Sequence, residues 1–269
     1  MHVSFEYLRA ADGSTFALIT SAVPLSAFGE RPAGSALPEL TLVGRLSPEG
    51  GGDSIDLGES SFSGASMNDE LAASPGSKPA EPAPPGEIAP GEKLLLYQAR
   101  TPLRPGRYDL WVGVFERQRL QAANLRTTIE VPDLGGALSV SSIILGRSLR
   151  PVPEGTGGYN RAFRISDFEI IPSVGVPYRP GDPLTALWQT YSEGPTGRGS
   201  GLEVTTRFYR IANGTESLVG KPRVIEDAEP VQAFAVELKG WPASAYRLEV
   251  SARDRAGRTA VRSIGFSVQ

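Results

Sequence analysis

Short runs of alternating apolar and polar residues dominate the chain, and Gly, Pro, Asp or Asn residues separate them. A period of two residues is typical of β-strands, whose successive side chains point to opposite faces of a sheet. The only helical candidate is a single turn at 65–72. The pattern therefore predicts an all-β protein. Its expected strands are 5–8, 15–21, 39–46, 93–99, 108–115, 126–131, 138–145, 163–171, 184–191, 202–211, 231–238, 246–254 and 259–268.

One stretch of the first half is repeated in the second half. Residues 103–117 and 241–255 each contain a proline, a few small or polar residues, and then the pattern Tyr-x-Leu-x-Val-x-(Val or Ala)-x-acid-Arg. Residues 39–46 match 201–208, and the Pro- and Gly-containing segment 132–136 ends the first copy. We therefore predict two tandem immunoglobulin-like (fibronectin III-like) β-sandwiches. Module 1 covers residues 1–136 and module 2 covers residues 137–269.

The repeated tyrosines have a predicted structural role. Tyr108 and Tyr246 each follow a Pro-containing turn at the start of a strand. In β-sandwiches, a tyrosine in this position forms a tyrosine corner, in which a buried ring sends its hydroxyl back to the upstream backbone. We interpret both residues as scaffold rather than as side chains that stack on a ligand.

The outward faces of the two repeated strands differ. In module 2 this face carries charged residues at 247, 249 and 253, as a solvated face should. In module 1 it carries Trp111 and Phe115. An apolar patch on such a face indicates either a binding surface or burial, here beneath an insertion or against module 2. We take Trp111 and Phe115 as candidate partner-binding residues, with Trp111 as the anchor.

Module 1 also carries a long insertion at about 60–92, where module 2 has a short connection at 226–230. The centre of the insertion is rich in Pro, Ala and Ser, and this composition favours an extended chain. Extended Pro-rich segments lose little entropy when they bind, so they are suited to act as contact arms. Pro82, Pro84 and Pro85 are therefore further candidate partner-binding residues.

Composition argues against several classes of function. The net charge is −3 without a basic stretch, which is atypical of a nucleic-acid-binding protein. The chain has no Cys and only one His, His2, so disulfides, thiolate metal sites and histidine-dependent catalysis are not expected. No apolar run has the length of a transmembrane helix. We expect no cofactor, no metal and no enzymatic activity.

Two sets of carboxylates leave other chemistry open. Asp53, Asp56 and Glu59 lie in a Gly-rich stretch that we interpret as a loop, and oxygen ligands in such loops bind Ca²⁺. Asp167 and Glu169 share one face of a predicted strand, as a glycosidase pair would require. Neither spacing matches a defined motif, and both sets stay alternatives to a non-catalytic role.

The linker and strand at 131–145, the opening residues 5–13 and the closing residues 246–268 resemble parts of two families. These are the bacterial von Willebrand factor type A-related secreted proteins and the GWxTD-domain proteins, in their C-terminal tandem β-sandwich regions. The Gly-Trp-x-Thr-Asp motif and the Asp-x-Ser-x-Ser metal site are missing from this chain. The resemblance implies an extracytoplasmic accessory region, in the periplasm or at the cell surface. The opening residues lack the features of a signal peptide, so we expect a fragment or a mature form.

These expectations combine into one hypothesis. The chain is a non-catalytic interaction or scaffolding region of a bacterial cell-envelope protein, which binds a protein partner in a larger envelope assembly chiefly through module 1. The alternative is a carbohydrate-binding accessory module. That function needs coplanar exposed rings with acids or amides at their edges, whereas a protein-binding face should be flat and apolar. Trp111, Phe115 and Trp241 are the rings available for it.

Overall fold

The computed structural model describes residues 2–10, 12–28, 39–63, 94–116, 121–151, 163–165, 168–194 and 197–269. These residues form antiparallel sheets with one short 3-10 helix, Leu25–Phe28, which confirms the all-β prediction. The strands are β1 (His2–Arg9), β2 (Thr15–Pro24), β3 (Glu39–Pro48), β4 (Ile55–Ser63), β5 (Leu94–Leu103), β6 (Gly106–Glu116), β7 (Gln121–Val131), β8 (Leu138–Val140), β9 (Ile144–Pro151), β10 (Arg164–Ile165), β11 (Phe168–Pro172), β12 (Pro183–Ser192), β13 (Glu203–Ala212), β14 (Thr215–Ile225), β15 (Val231–Glu237), β16 (Ser244–Arg253) and β17 (Thr259–Val268).

Strands β1 to β7 form the two sheets of module 1. One sheet has the order β1-β2-β5 and the other has the order β4-β3-β6-β7. This division into three and four strands is that of a fibronectin III-like sandwich, as predicted. Alternate side chains from both sheets meet between them, including Ile19, Leu42 and Leu110, each 1% exposed. The repeated Leu of the sequence pattern therefore points into the core.

Module 2 repeats this arrangement with an additional hairpin. Its four-stranded sheet has the order β14-β13-β16-β17, and β9-β12-β15 correspond to the three-stranded sheet. The hairpin β10-β11 extends that sheet beyond β9. The predicted strand 138–145 is in fact two strands, β8 and β9, because the backbone leaves the sheet at 141–143. There the Ser141 amide bonds to Gln189 and the Ser142 amide bonds to Tyr7 of module 1.

The alternation pattern does not predict β4 or β14, which are the outermost strands of the two four-stranded sheets. β14 exposes most of its side chains on both faces, so its sequence lacks the alternation of a half-buried strand. Asp56 and Glu59 lie on β4, so the stretch interpreted as a loop is partly a strand, and of the three acids Asp53 alone precedes it. β4 extends to Ser63, so the first residues of the predicted insertion at about 60–92 belong to this strand.

The two repeated tyrosines make the same hydrogen bond. The Tyr108 hydroxyl donates to the carbonyl oxygen of Arg104 at 3.0 Å, and the Tyr246 hydroxyl donates to that of Pro242 at 2.7 Å. Both rings are buried. This is the geometry of a tyrosine corner, and each bond ties the turn before β6 or β16 to the strand that follows.

The two modules pack face to face through their three-stranded sheets. Apolar side chains from both modules form a third buried cluster, which we call the inter-module core. Its fully buried members are Leu8, Leu18, Ile144, Phe163, Ile170 and Leu187. Strand β2 is consequently buried on both faces, because Ala17 and Ile19 point into module 1 while Leu18 points toward module 2.

Backbone hydrogen bonds also cross between the modules. The Tyr7 amide donates to Ser142 Oγ at 2.9 Å, and the Ser142 amide donates to the Tyr7 carbonyl at 3.0 Å. The Arg9 amide donates to the hydroxyl of Tyr191 at 2.8 Å. These bonds occupy part of the outer edge of β1, which would otherwise be an unpaired sheet edge.

Candidate functional site

Trp111 and Phe115 lie on the outer face of β6, and their exposed fractions are 42% and 36%. The Trp111 ring extends over Gly113, where an added Cβ would lie 2.9 Å from the Cη2 atom of the indole. Glycine at this position therefore lets the ring lie flat along the sheet. We call this surface, with Trp111, Gly113 and Phe115 along its centre, the aromatic face.

Charged side chains flank Trp111 on both neighbouring strands. The register places Arg45 of β3 and Arg126 of β7 directly opposite Trp111. Arg45 Nε lies 2.8 Å from Asp56 Oδ1, and Arg126 Nη2 lies 3.5 Å from Asp109 Oδ2. The aromatic face is thus an apolar ridge framed by two exposed ion pairs, and it is not uniformly apolar.

The corresponding surface of module 2 is an ion-pair ladder. Glu249 occupies the position of Trp111, and its carboxylate lies 2.7 Å from Arg247 and 3.5 Å from Arg207. Arg207 is opposite Glu249 in the register, as Arg45 is opposite Trp111. An arginine therefore stands at the same position of the neighbouring strand in both modules. The residue directly across from this arginine differs, since it is Glu249 in module 2 and Trp111 in module 1.

Burial against module 2 does not account for the aromatic face, because module 2 packs on the other sheet of module 1. The remaining candidates Pro82, Pro84 and Pro85 lie outside the described residues. Whether the insertion contacts Trp111 therefore stays a prediction.

Trp241 does not extend the aromatic face. Its ring centroid lies 4.9 Å from that of Tyr246 and 5.2 Å from that of Phe208, within the aromatic cluster that closes the core of module 2. Of the three rings considered for a sugar platform, two therefore share one surface.

The carboxylates considered for other chemistry are dispersed. In the part of the chain that the structure describes, no group of three or more His, Asp or Glu side chains is arranged to hold a metal ion. Asp56 is engaged by Arg45, as described above. Asp167 lies outside the described residues, so the proposed pairing with Glu169 stays a prediction.

A second candidate site, which the sequence does not predict, lies between the modules around Glu6. This residue is on the outer face of β1 and is 7% exposed. It lines two cavities, one of about 520 Å³ with Glu130 and Arg262 in its wall, and one of about 230 Å³ with Tyr178 and Phe266 in its wall. Glu6 and Ile264 are common to both cavities, so the acid lies where they meet.

The carboxyl group of Glu6 has little compensation for its burial. Desolvation raises its pKa from 4.5 to about 8, and the nearby Ser4 hydroxyl opposes this shift only partly. Among the described residues, Oε2 of Glu6 has no hydrogen-bond partner, and neither has the hydroxyl of Ser4 or of Thr20. Three polar side chains on one face of β1 and β2 thus enter the inter-module region without partners.

Comparisons with known proteins give no family for this chain. No family model matches it, and no curated protein matches it. One solved structure to which it is similar is the native conformation of alpha-2-macroglobulin from E. coli, with a TM-score of 0.26 and 11% sequence identity. That similarity covers 100% of this chain and 14% of the other. The chain therefore spans about a seventh of the protein it matches, and a similarity this low supports no functional argument.

Among the described residues, none of the segments forms a helix with the length and hydropathy needed to cross a membrane.

Proposed function

We propose that this chain is a non-catalytic binding region that contacts a protein partner through the aromatic face of module 1. The observation that carries the proposal is the exposed pair Trp111 and Phe115 on a strand whose counterpart in module 2 has Glu249 and Arg253 at these positions. Both strands support the same fold, so the scaffold does not require aromatic residues there. Trp is also among the residues enriched at the positions that carry most of the binding energy in protein interfaces.

The charged frame gives the proposed contact its selectivity. Arg45 and Arg126 flank the indole and are themselves exposed. Each is paired with an acid, Asp56 on β4 and Asp109 on β6. A partner that covers Trp111 must also satisfy these ion pairs, because buried charges without partners are costly. The partner surface we expect therefore combines an apolar pocket for the indole with polar groups around its rim.

The decisive experiment converts the aromatic face into the surface of module 2. The variant combines Trp111→Glu with Phe115→Arg, which reproduces the residues at 249 and 253. Val224→Glu, at an apolar residue of module 2 that is 53% exposed, is the matched control. Wild-type, control and converted chains serve as baits in an envelope extract, and circular dichroism verifies folding.

We expect a partner that wild type and control retain and that the converted chain loses. With the purified partner, hydrogen exchange should show protection on β3 and β6. Equal recovery by all three folded baits, or protection confined to other strands, would refute the proposed contact.

A carbohydrate ligand is the second candidate, and one observation favours it. The flat indole has guanidinium groups on both neighbouring strands, from Arg45 and Arg126, and these are paired with the carboxylates of Asp56 on β4 and Asp109 on β6. Such groups suit hydroxyl recognition. A glycan array with wild type and Trp111→Ala distinguishes the two candidates. A glycan bound only by wild type would favour the carbohydrate-binding module over the protein-binding region.

The proposed location is extracytoplasmic, in the periplasm or at the surface of a bacterial cell. This part of the proposal is supported by the family resemblance of the sequence alone. Fractionation of cells that produce the complete protein with an epitope tag is the direct test. Recovery of the tag in the cytosolic fraction would contradict it.

A further inference from the structure

The inter-module cleft contains one ionisable group, Glu6, with little compensation for its burial, whereas several of its polar neighbours have hydrogen-bond partners. Ser142 Oγ accepts the amide of Tyr7 at 2.9 Å, and Arg262 Nε donates to the Val140 carbonyl at 3.1 Å. The hydroxyl of Tyr178 lies 2.9 Å from Ser173 Oγ. Glu6 Oε2 and Ser4 Oγ, by contrast, have no partner among the described residues although both line the smaller cavity.

A buried carboxyl oxygen without a partner destabilises the fold, so a ligand that supplies the missing interaction would bind with a favourable energy. The missing group must donate hydrogen bonds and carry positive charge to match a carboxylate. An anionic ligand cannot supply this positive charge. A divalent metal ion is a poor match, because proteins hold such ions with several charged or strongly donating ligands and Glu6 is the single acid in the wall of the smaller cavity.

The walls of the smaller cavity define the rest of the ligand. Phe266, Ile264, Val176 and Pro172 give it an apolar lining, and Tyr178 contacts Phe266 edge to face with centroids 5.8 Å apart. A charged head on an alkyl stem fits this combination, because the stem packs against apolar side chains while the head reaches the acid. A primary ammonium also has three donors, enough for both Glu6 and Ser4.

We propose that the cleft between the modules is a binding site for a primary alkylammonium group, with Glu6 as the carboxylate that receives it. The source of this group is either a free alkylamine or the side chain of a lysine in a peptide. The site lies on the opposite sheet of module 1 from the aromatic face, so the proposal does not depend on the function proposed above.

The proposal implies a defined proton balance. The ligand keeps its own proton, and Glu6 releases one to solvent as it becomes the counter-ion. Because burial raises the pKa of Glu6 to about 8, the free protein holds this proton at pH 7, and binding should release about 0.9 proton per ligand. Among the described residues, the other titratable or charged side chains at this region are His2, Tyr7, Glu130, Tyr178 and Arg262, with the Arg147–Asp182 ion pair behind Tyr178.

Calorimetry with n-pentylamine hydrochloride tests the proposal on the full chain. Titrations at pH 7 in buffers of different ionisation enthalpy measure both the affinity and the protons released. The test variant is Glu6→Gln, which keeps the shape of the side chain. The matched control is Glu130→Gln, which removes an exposed acid from the wall of the larger cavity. n-Pentanol and potassium chloride control for the alkyl stem and for ionic strength.

We expect binding to wild type and to Glu130→Gln with about 0.9 proton released, and binding weaker by about tenfold or more with Glu6→Gln. A blocked tripeptide with a central lysine, compared with its norleucine analogue, distinguishes the two sources of the ammonium. Failure of both amines to bind at about 10 mM would overturn the proposal. So would equal binding by Glu6→Gln, equal losses in both variants, or binding without proton release. Trp111→Glu should leave amine binding unchanged, so this test and the partner test can fail separately.

Discussion

Strands β6 and β16 occupy the same position in the two modules, but they differ on one face. Their inward faces are the same in kind, with a tyrosine corner at Tyr108 or Tyr246 followed by a buried leucine. Their outward faces differ, since Trp111 lies where the second module has Glu249. Inward positions are constrained by the sandwich core, whereas outward positions are free to carry a function. The difference therefore separates residues that specify the fold from residues that serve binding.

The outward face of β16 carries a network of ion pairs. Arg247 bonds to Glu216 at 2.6 Å and to Glu249 at 2.7 Å, and these carboxylates raise the pKa of its guanidinium. The Arg247 guanidinium also covers the ring of Tyr209, 4.3 Å from its centroid. Trp111 of module 1 has no charge to pair with Arg45, so the ion pairs that Glu249 makes in module 2 are missing at this position.

The largest expected effect concerns Glu6, the acid of module 1 that is buried between the modules. Because the pKa of Glu6 is about 8 in the folded protein and about 4.5 when solvated, the folded state keeps a proton that the unfolded state releases. The free energy of unfolding should therefore fall as the pH rises from about 4.5 to 8, by roughly 4 kcal/mol from this group. Urea unfolding of wild type and Glu6→Gln across this range measures it.

The difference between the two proteins isolates Glu6 from all other titrating groups. Glu6→Gln should be the more stable protein at pH 9 and should approach wild type near pH 5. Glu130→Gln serves as control and should follow the wild-type curve. A difference between wild type and Glu6→Gln that does not vary with pH would contradict the burial of an uncompensated acid.

The next prediction concerns whether a substitution in one module destabilises the other. Leu18 is fully buried in the inter-module core, and Leu42 is equally buried in the core of module 1. Truncation of either leucine to alanine should cost about 3 kcal/mol. Hydrogen exchange should show that Leu18→Ala loosens β9 and β12 of module 2 as well, whereas Leu42→Ala loosens module 1 alone. Identical exchange patterns would mean that the interface does not couple the modules in this way.

A smaller effect tests the equivalence of the two scaffolds. Tyr108→Phe and Tyr246→Phe each remove one hydroxyl that donates to a backbone carbonyl at 3.0 and 2.7 Å. Each change should lower the free energy of unfolding by about 1 kcal/mol, the usual worth of such a bond. Differential scanning calorimetry provides the measurement. Stability unchanged by one substitution and lowered by the other would break the equivalence of the two corners.

The smallest effect concerns the aromatic face itself. Trp111→Glu places an acid opposite Arg45, as Glu249 stands opposite Arg207. Because Trp111 lies outside both cores and the new pair is exposed, the free energy of unfolding should change by less than about 1 kcal/mol. Thermal unfolding followed by circular dichroism is sufficient. A loss of several kcal/mol would show that Trp111 is a structural residue and would remove the basis of the proposed function.

Local sequence patterns were sufficient for most of the fold. The alternation of apolar and polar residues predicts the half-buried strands, because one face of such a strand is buried and the other is exposed to solvent. The predicted strand 259–268 has the same bounds as β17. The edge strand β14 is not predicted, because a strand exposed on both faces has no such contrast. The edge strand β4 is not predicted either. The aromatic face was also visible in the sequence, since comparison of the two repeats isolates Trp111 and Phe115 from the shared scaffold.

The sequence by itself determined two β-sandwich modules and their inward-facing residues, because core packing and turn geometry are local constraints that repeat in each module. The tertiary structure alone decided that the modules pack through β1-β2 and β9-β12. That contact turned Glu6 from an ordinary outward-facing acid into a buried one at the junction of two cavities. Burial of a solvent-facing position depends on what a distant part of the chain places over it, and no local pattern records that.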